Sequence, residues 1–446
     1  MDRVQGREAM NIFFRSALLL IVVAFVGECI EFLINMILAQ ELGEEGLGLY
    51  MSILPTILFI VVIASLELPI SISKFVAEKD VIFHRSMLMH ALRFATICTI
   101  VFSLIALWLL PVIPVFERYH PLVPWLFILL IPIISFSSVA RGYFMGAQRM
   151  GKIAFANFLR RAGQLVLLVV LFMATSFEAE VALLVALTTL IASEFLVLSF
   201  LFIAFLIQMR VLKRKPRAAL SGSKVRKSLL EVSIPTTGLR IFHAATFAVK
   251  PFFIKETLVR AGMVDTVAMV QYGKLAGVAF TIGFFPAFIA HSLLIVLIPT
   301  VSEAYSKGNI ARLRTLLRKV IFVTGGYGIP AVVIFYFFAE PLTSLFFENS
   351  PAIRYLQLLV PYFLFHFFVI PMQAYLIGLG LVKDAFLHAL YSTIFSFVTM
   401  YLLGSMPTLR MDGIILGMNM GAVLLTLLHY VTICKKIGVT LLLTKK

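Results

Sequence analysis

Residues 210–227 read "RVLKRKPRAALSGSKVRK", with eight Lys or Arg set among Pro, Ser and Gly. The rest of the 446-residue chain is of another kind: overall 61% of residues are hydrophobic, 13% are charged, and the mean hydropathy is +1.02. A soluble domain carries about 25% charged residues, so half the usual charge is missing. Apolar segments recur on both sides of the basic stretch, each near the ~20 residues that a helix needs to cross ~30 Å of hydrocarbon. This pattern excludes a soluble core and predicts an all-α polytopic membrane protein. The basic stretch is then a solvated linker against an anionic leaflet. The net charge of +16 sits mostly in loops between spans, so no nucleic-acid partner is expected.

Working outward from the linker, twelve spans are expected, near 12–38, 49–70, 87–114, 123–142, 153–174 and 181–208 before it, and 229–254, 266–299, 319–339, 353–376, 386–404 and 413–434 after it. The chain divides into a six-helix lobe at 1–208, a linker at 209–228 and a second six-helix lobe at 229–446. With the N-terminus inside, about 30 of the 38 Lys and Arg fall in inside loops and adjacent helix ends. Outside loops hold Arg118, Lys255, Arg260, Arg354 and Arg410, and are otherwise acidic at Glu41, Glu44, Glu45, Glu178 and Glu180. This leaves Arg240, Lys250 and Lys274 within the membrane and places both termini in the cytoplasm. The first apolar run lacks a small-residue cleavage site and is read as span 1. Cys29, Cys98 and Cys434 lack metal-ligand spacing and are read as packing residues.

The halves repeat. "YFMGAQRMGKIAF" (143–155) matches "YLIGLGLVKDAF" (375–386) in Tyr, Gly, Lys and Ala-Phe, each at the end of the fourth span of its half. "LELPISISK" (66–74) and "LIVLIPTVSE" (294–303) end the second spans alike. Six spans per half is an even number, so the repeat is parallel, about an axis along the membrane normal, with a substrate site expected where the halves meet. Pro55, Pro251 and Pro286 lie in or beside spans, where kinks suit a transporter lining a cavity.

"ELGEEGLGLYMSILPTIL" (41–58), "LPISISKFVAEKD" (68–80), "ARGYFMGAQRMGK" (140–152) and "LIPTVSEAYSKGNIARLR" (297–314) resemble the stage V sporulation protein B and polysaccharide-biosynthesis group of the multidrug/oligosaccharidyl-lipid/polysaccharide (MOP) flippase superfamily. The resemblance implies a V-shaped, MATE-like bundle that flips an undecaprenyl-diphosphate-linked saccharide across the bacterial cytoplasmic membrane by alternating access. It also implies a role in the spore envelope. Members typically carry two further spans, which related lipid II flippases use as a groove for the lipid tail. Those flippases place arginines in helix 1, where this chain has Glu28 and Glu31.

In span 7, "GLRIFHAATFAVKPFF" (238–253), Arg240, His243, Phe247 and Lys250 fall within about 80° of arc. A charge deep in a bilayer is costly, so this face is expected to border water, with Lys274 of span 8 joining it. Arginine binds a diphosphate in bidentate fashion and lysine adds a point charge. The alternative is snorkelling of Arg240 and Lys250 to opposite surfaces. Glu28 and Glu31, three residues apart on one face of span 1, are candidates to pair with the span 7 cations or to bind a coupling H+ or Na+. Glu67 and Glu194 are further candidates for coupling or salt bridging, and Arg141 for a headgroup contact.

No Walker loop, H-E-x-x-H or hydrolytic triad occurs, so neither an enzyme nor a cofactor is expected. The expected function is a monomeric flippase for an anionic lipid-linked saccharide, in contact with membrane lipids. The alternatives are a cation-coupled multidrug exporter, which a cationic cavity disfavours, and a non-transporting scaffold for envelope assembly, which intramembrane charges disfavour.

Overall fold

The computed structural model describes residues 2–213, 221–348 and 350–441. The helices are α1 (Asp2–Ser65), α2 (Leu68–Glu78), α3 (Val81–Leu109), α4 (Val123–Gly146), α5 (Met150–Ala174), α6 (Ala179–Lys213) and α7 (Gly222–Arg260). They continue as α8 (Asp265–Gly273), α9 (Phe280–Phe284), α10 (Ala287–Ser306), α11 (Ile310–Phe337), α12 (Ala339–Thr343), α13 (Ala352–Leu358), α14 (Val360–Gly378), α15 (Val382–Gly404) and α16 (Met411–Ile437). Among the described residues, eleven helical segments are long and apolar enough to cross a membrane, so this is a multi-pass membrane protein.

These eleven differ from the twelve expected spans in three places: spans 1 and 2 fall in one segment, span 8 falls in two, and α7, the expected span 7, is not among them. Span 1 passes into span 2 within α1 at Gly43, whose φ of 66° and ψ of −175° a side chain would resist. Span 8, expected as one helix over 266–299, instead bends at Phe285-Pro286 and continues to Ser306. Pro286 has no N–H for the helical ladder, yet both residues keep right-handed helical angles, so the chain bends rather than reverses. The linker expected at 209–228 is shorter than its sequence suggests, because α6 runs to Lys213 and α7 starts at Gly222. Residues 214–220 of the linker lie outside the described residues.

Two compact units emerge: Glu41–Pro251 in one, and Met1–Gln40 with Phe252–Lys446 in the other. They differ from the sequence lobes in two helices. The first part of α1 belongs with the C-terminal helices, through Phe32 against Phe285 and Phe346 and Gln40 Nε2 donating to Leu345 O. The part of α1 after Gly43 is tied into the other unit, where Tyr119 donates to Leu49 O at 2.9 Å and meets Ser52 Oγ at 3.0 Å. Most of α7 belongs with that unit as well, with Val225 and Leu229 in its core beside Leu68, Ile72, Met87 and Leu212.

The repeat read from sequence has a packing reason. A Cβ on Gly146 of α4 would lie 2.5 Å from Ser73 O and 2.7 Å from Val76 Cβ of α2. One on Gly378 of α14 would lie 2.8 Å from Val301 Cβ and 3.0 Å from Ile298 O of α10. In each unit the fourth-span glycine lets a helix close on the end of the second span. The turns that follow also match: Arg149 N bonds Phe144 O at 2.8 Å and Leu381 N bonds Leu376 O at 2.9 Å, with Gln148 and Gly380 at positive φ.

Candidate functional site

In the Glu41–Pro251 unit, the site begins with a strained break. Leu66 and Glu67 both adopt left-handed backbone angles, φ 46° and 48°. For residues with a Cβ this costs on the order of 1–2 kcal/mol each. Pro69 follows in the first turn of α2, where its missing N–H is harmless. The break turns the Glu67 side chain inward, leaving it 3% exposed.

A buried carboxylate needs a partner. On α7, Val225, Leu229, Ser233 and Thr237 are buried at four-residue steps. This stripe faces α2, where Ser233 Oγ and Ser71 Oγ are 2.6 Å apart. Arg240 follows Thr237 by three residues and continues the stripe. Its Nη1 donates to Glu67 Oε1 at 2.6 Å, while its side chain stays 58% exposed. One end of the guanidinium is therefore fixed, and the fork has donors to spare for an oxyanion. His243 and Phe247 on the same helix are exposed and Lys250 is half-buried.

A second polar centre in this unit joins α4, α5 and α6. Arg141 Nη1 donates to Asn157 Oδ1 at 2.9 Å, and Arg160 Nε lies 3.8 Å from Glu194 Oε1. Arg141, Arg160 and Glu194 are within electrostatic reach of one another. Gln164, buried on α5, donates to Tyr50 Oη at 3.5 Å. Arg160 lies ten residues beyond Met150, or about 15 Å along α5. The signal is present as "RRAGQ" (160–164), a polar run inside an apolar span.

The other unit holds the remaining candidates. Phe25 and Phe32 of α1 meet Phe285 at the bend before α10, and Phe25 also meets Phe288. Glu28 lies between them on the same helix face. It is half-buried and within electrostatic reach of His291 on α10, a residue not singled out from sequence. Glu31 is half-buried one turn further on. Lys274 is 5% exposed and opens a π-helical turn, Lys274–Ala279, an irregularity frequent at functional sites.

The structure thus pairs Arg240 with Glu67, where the sequence suggested Glu28 or Glu31, and places Lys274 in the other compact unit.

Residues 13–305 match the family model described as polysaccharide biosynthesis protein, and residues 256–402 match the MatE model. Sporulation protein YkvU of Bacillus subtilis is 55% identical over 98% of both chains. Stage V sporulation protein B of the same organism is 30% identical over 97% of this chain and 86% of its own. The chain belongs to the polysaccharide biosynthesis protein family. It is a membrane transporter of the MOP superfamily, and its family and fold are those of a transporter rather than an enzyme.

Solved structures share the fold of this MOP member. An inward-facing multidrug resistance MATE transporter superposes with a TM-score of 0.74 at 17% identity, over 92% of this chain and 94% of the other. A MOP superfamily transporter from Pyrococcus furiosus gives 0.61 at 15% identity, over 94% and 95%.

Proposed function

We propose that the protein is a flippase carrying an undecaprenyl-diphosphate-linked saccharide across the bacterial cytoplasmic membrane by alternating access. The observation that carries this reading is Arg240, anchored at one end by a buried carboxylate and more than half exposed. A guanidinium held in that way is prepared for a diphosphate, because less freedom is lost when the anion binds. His243 and Lys250 on the same helix add cationisable groups to its approach. The names of the two Bacillus relatives support a task in sporulation. The basic loops support an orientation with both termini in the cytoplasm.

The sequence holds no Walker loop, and we propose that an ion gradient, the membrane potential or consumption of the product drives transport. Glu28 with Glu31, beside His291, is the proposed site for a coupling H+ or Na+. Glu67 and Glu194 are proposed to hold Arg240 and Arg160 in place, with Arg141 completing the second centre. We propose that one chain suffices for transport.

A second reading is a cation-coupled multidrug exporter. The MatE match over 256–402 and the buried Glu67 carboxylate favour it. Proteoliposomes offered both cargoes separate the two. A flippase translocates a fluorescent undecaprenyl-diphosphate sugar and ignores a lipophilic cationic dye, whereas an exporter shows the reverse preference.

A further inference from the structure

A cavity of about 720 Å³ lies in the Glu41–Pro251 unit between α3, α4 and α6. We infer that it is a binding site for an anionic phospholipid, with the headgroup at Arg85 and Lys213 and the acyl chains along the groove.

Beside Phe136, α4 contributes Val139 and Ala140 to the lining of the groove. Both are buried, at 1% and 5% exposure, and form its floor. Phe195 and Phe202 of α6, each about half exposed, form an open wall. The floor and walls make no polar demand. Ser199, a lining hydroxyl, already donates to Phe195 O at 2.8 Å. A saccharide or a soluble anion would find no donors along such a surface, whereas acyl chains need none.

The charge lies at one end. Arg85 is near the start of α3 and Lys213 ends α6, and among the described residues no carboxylate lines the cavity. Among the described residues neither cation is in an ion pair. Two cations over an apolar groove complement a lipid phosphate above its own chains. The length agrees as well. Phe195 to Lys213 spans 18 residues, about 27 Å along the helix. One leaflet with its headgroups measures roughly 20–22 Å. Helix tilt reduces the difference, so the site fits a lipid lying within one leaflet.

The test is native mass spectrometry of the full-length protein extracted from vesicles of equal phosphatidylglycerol and phosphatidylcholine. The wild type retains phosphatidylglycerol in preference. Arg85→Gln and Lys213→Gln each lower that preference about fivefold, and together roughly 25-fold, with the melting temperature unchanged. Ser199→Phe, which fills the groove, lowers retention of both lipids; Leu198→Trp on the same surface serves if that variant does not fold. Proportional retention of the two lipids by the wild type overturns the assignment. So does an undiminished preference in the double charge variant.

Discussion

Arg240 of α7 donates to Glu67, a carboxylate presented by two consecutive left-handed residues between α1 and α2. The contact joins a strained backbone to a long-range ion pair, with the partners 173 positions apart in the chain. The helix break aims the carboxylate, and the carboxylate fixes the cation.

Removing one partner alone should therefore cost stability. Arg240→Ala leaves Glu67 buried without its donor, a penalty of about 1–3 kcal/mol. Arg240→Ala with Glu67→Gln restores most of it, since the second change removes the stranded charge. Thermal unfolding in detergent, read for both variants, checks the order. Equal melting temperatures for the single and double variants would mean that the pair is not coupled.

The glycine contacts that underlie the repeat predict a matched pair of effects. Gly146→Ala drives a Cβ into Ser73 O, and Gly378→Ala drives one into Val301. Each should destabilise by about 1–3 kcal/mol. Gly326, where an added Cβ would meet nothing within 4 Å, should tolerate Ala within about 0.5 kcal/mol. Melting curves of the three variants decide it.

Much of this architecture was legible in the sequence, and the reasons are physical. Apolar length and loop charge report membrane crossing directly, and the Tyr-Gly-Lys-Ala-Phe repeat reports helix closure, because only glycine fits at Gly146 and Gly378. The ion pairing was not legible. Which carboxylate meets Arg240 depends on the rotation of α7 and on the break at Leu66-Glu67, and Pro69 alone hinted at that break. Nor was the contact of Arg160 with Glu194 legible, because span positions do not say which faces of α5 and α6 meet.

The Arg160–Glu194 contact should show a measurable coupling. Both side chains are less than a third exposed and 3.8 Å apart. Arg160→Gln and Glu194→Gln should each lower stability, and the double variant should lower it by less than their sum. A coupling of about 0.5–1 kcal/mol is expected, at the low end for contacting residues because the contact is loose. Strict additivity would place the two groups in separate, solvated surroundings.

The proposed coupling site makes a separate demand. In proteoliposomes, transport by the wild type should respond to an imposed Na+ or pH gradient. Glu28→Gln with Glu31→Gln should remove that response while transport down the cargo's own gradient persists. A variant that still follows the ion gradient takes coupling away from α1.

The most direct measurement is translocation of a fluorescent undecaprenyl-diphosphate sugar by the Arg240→Ala, Glu67→Gln double variant, which lacks the cation without a stranded carboxylate. Loss of a charge-assisted contact to the diphosphate predicts a rate reduced roughly 10- to 100-fold. Translocation at the wild-type rate by a folded double variant would contradict the account.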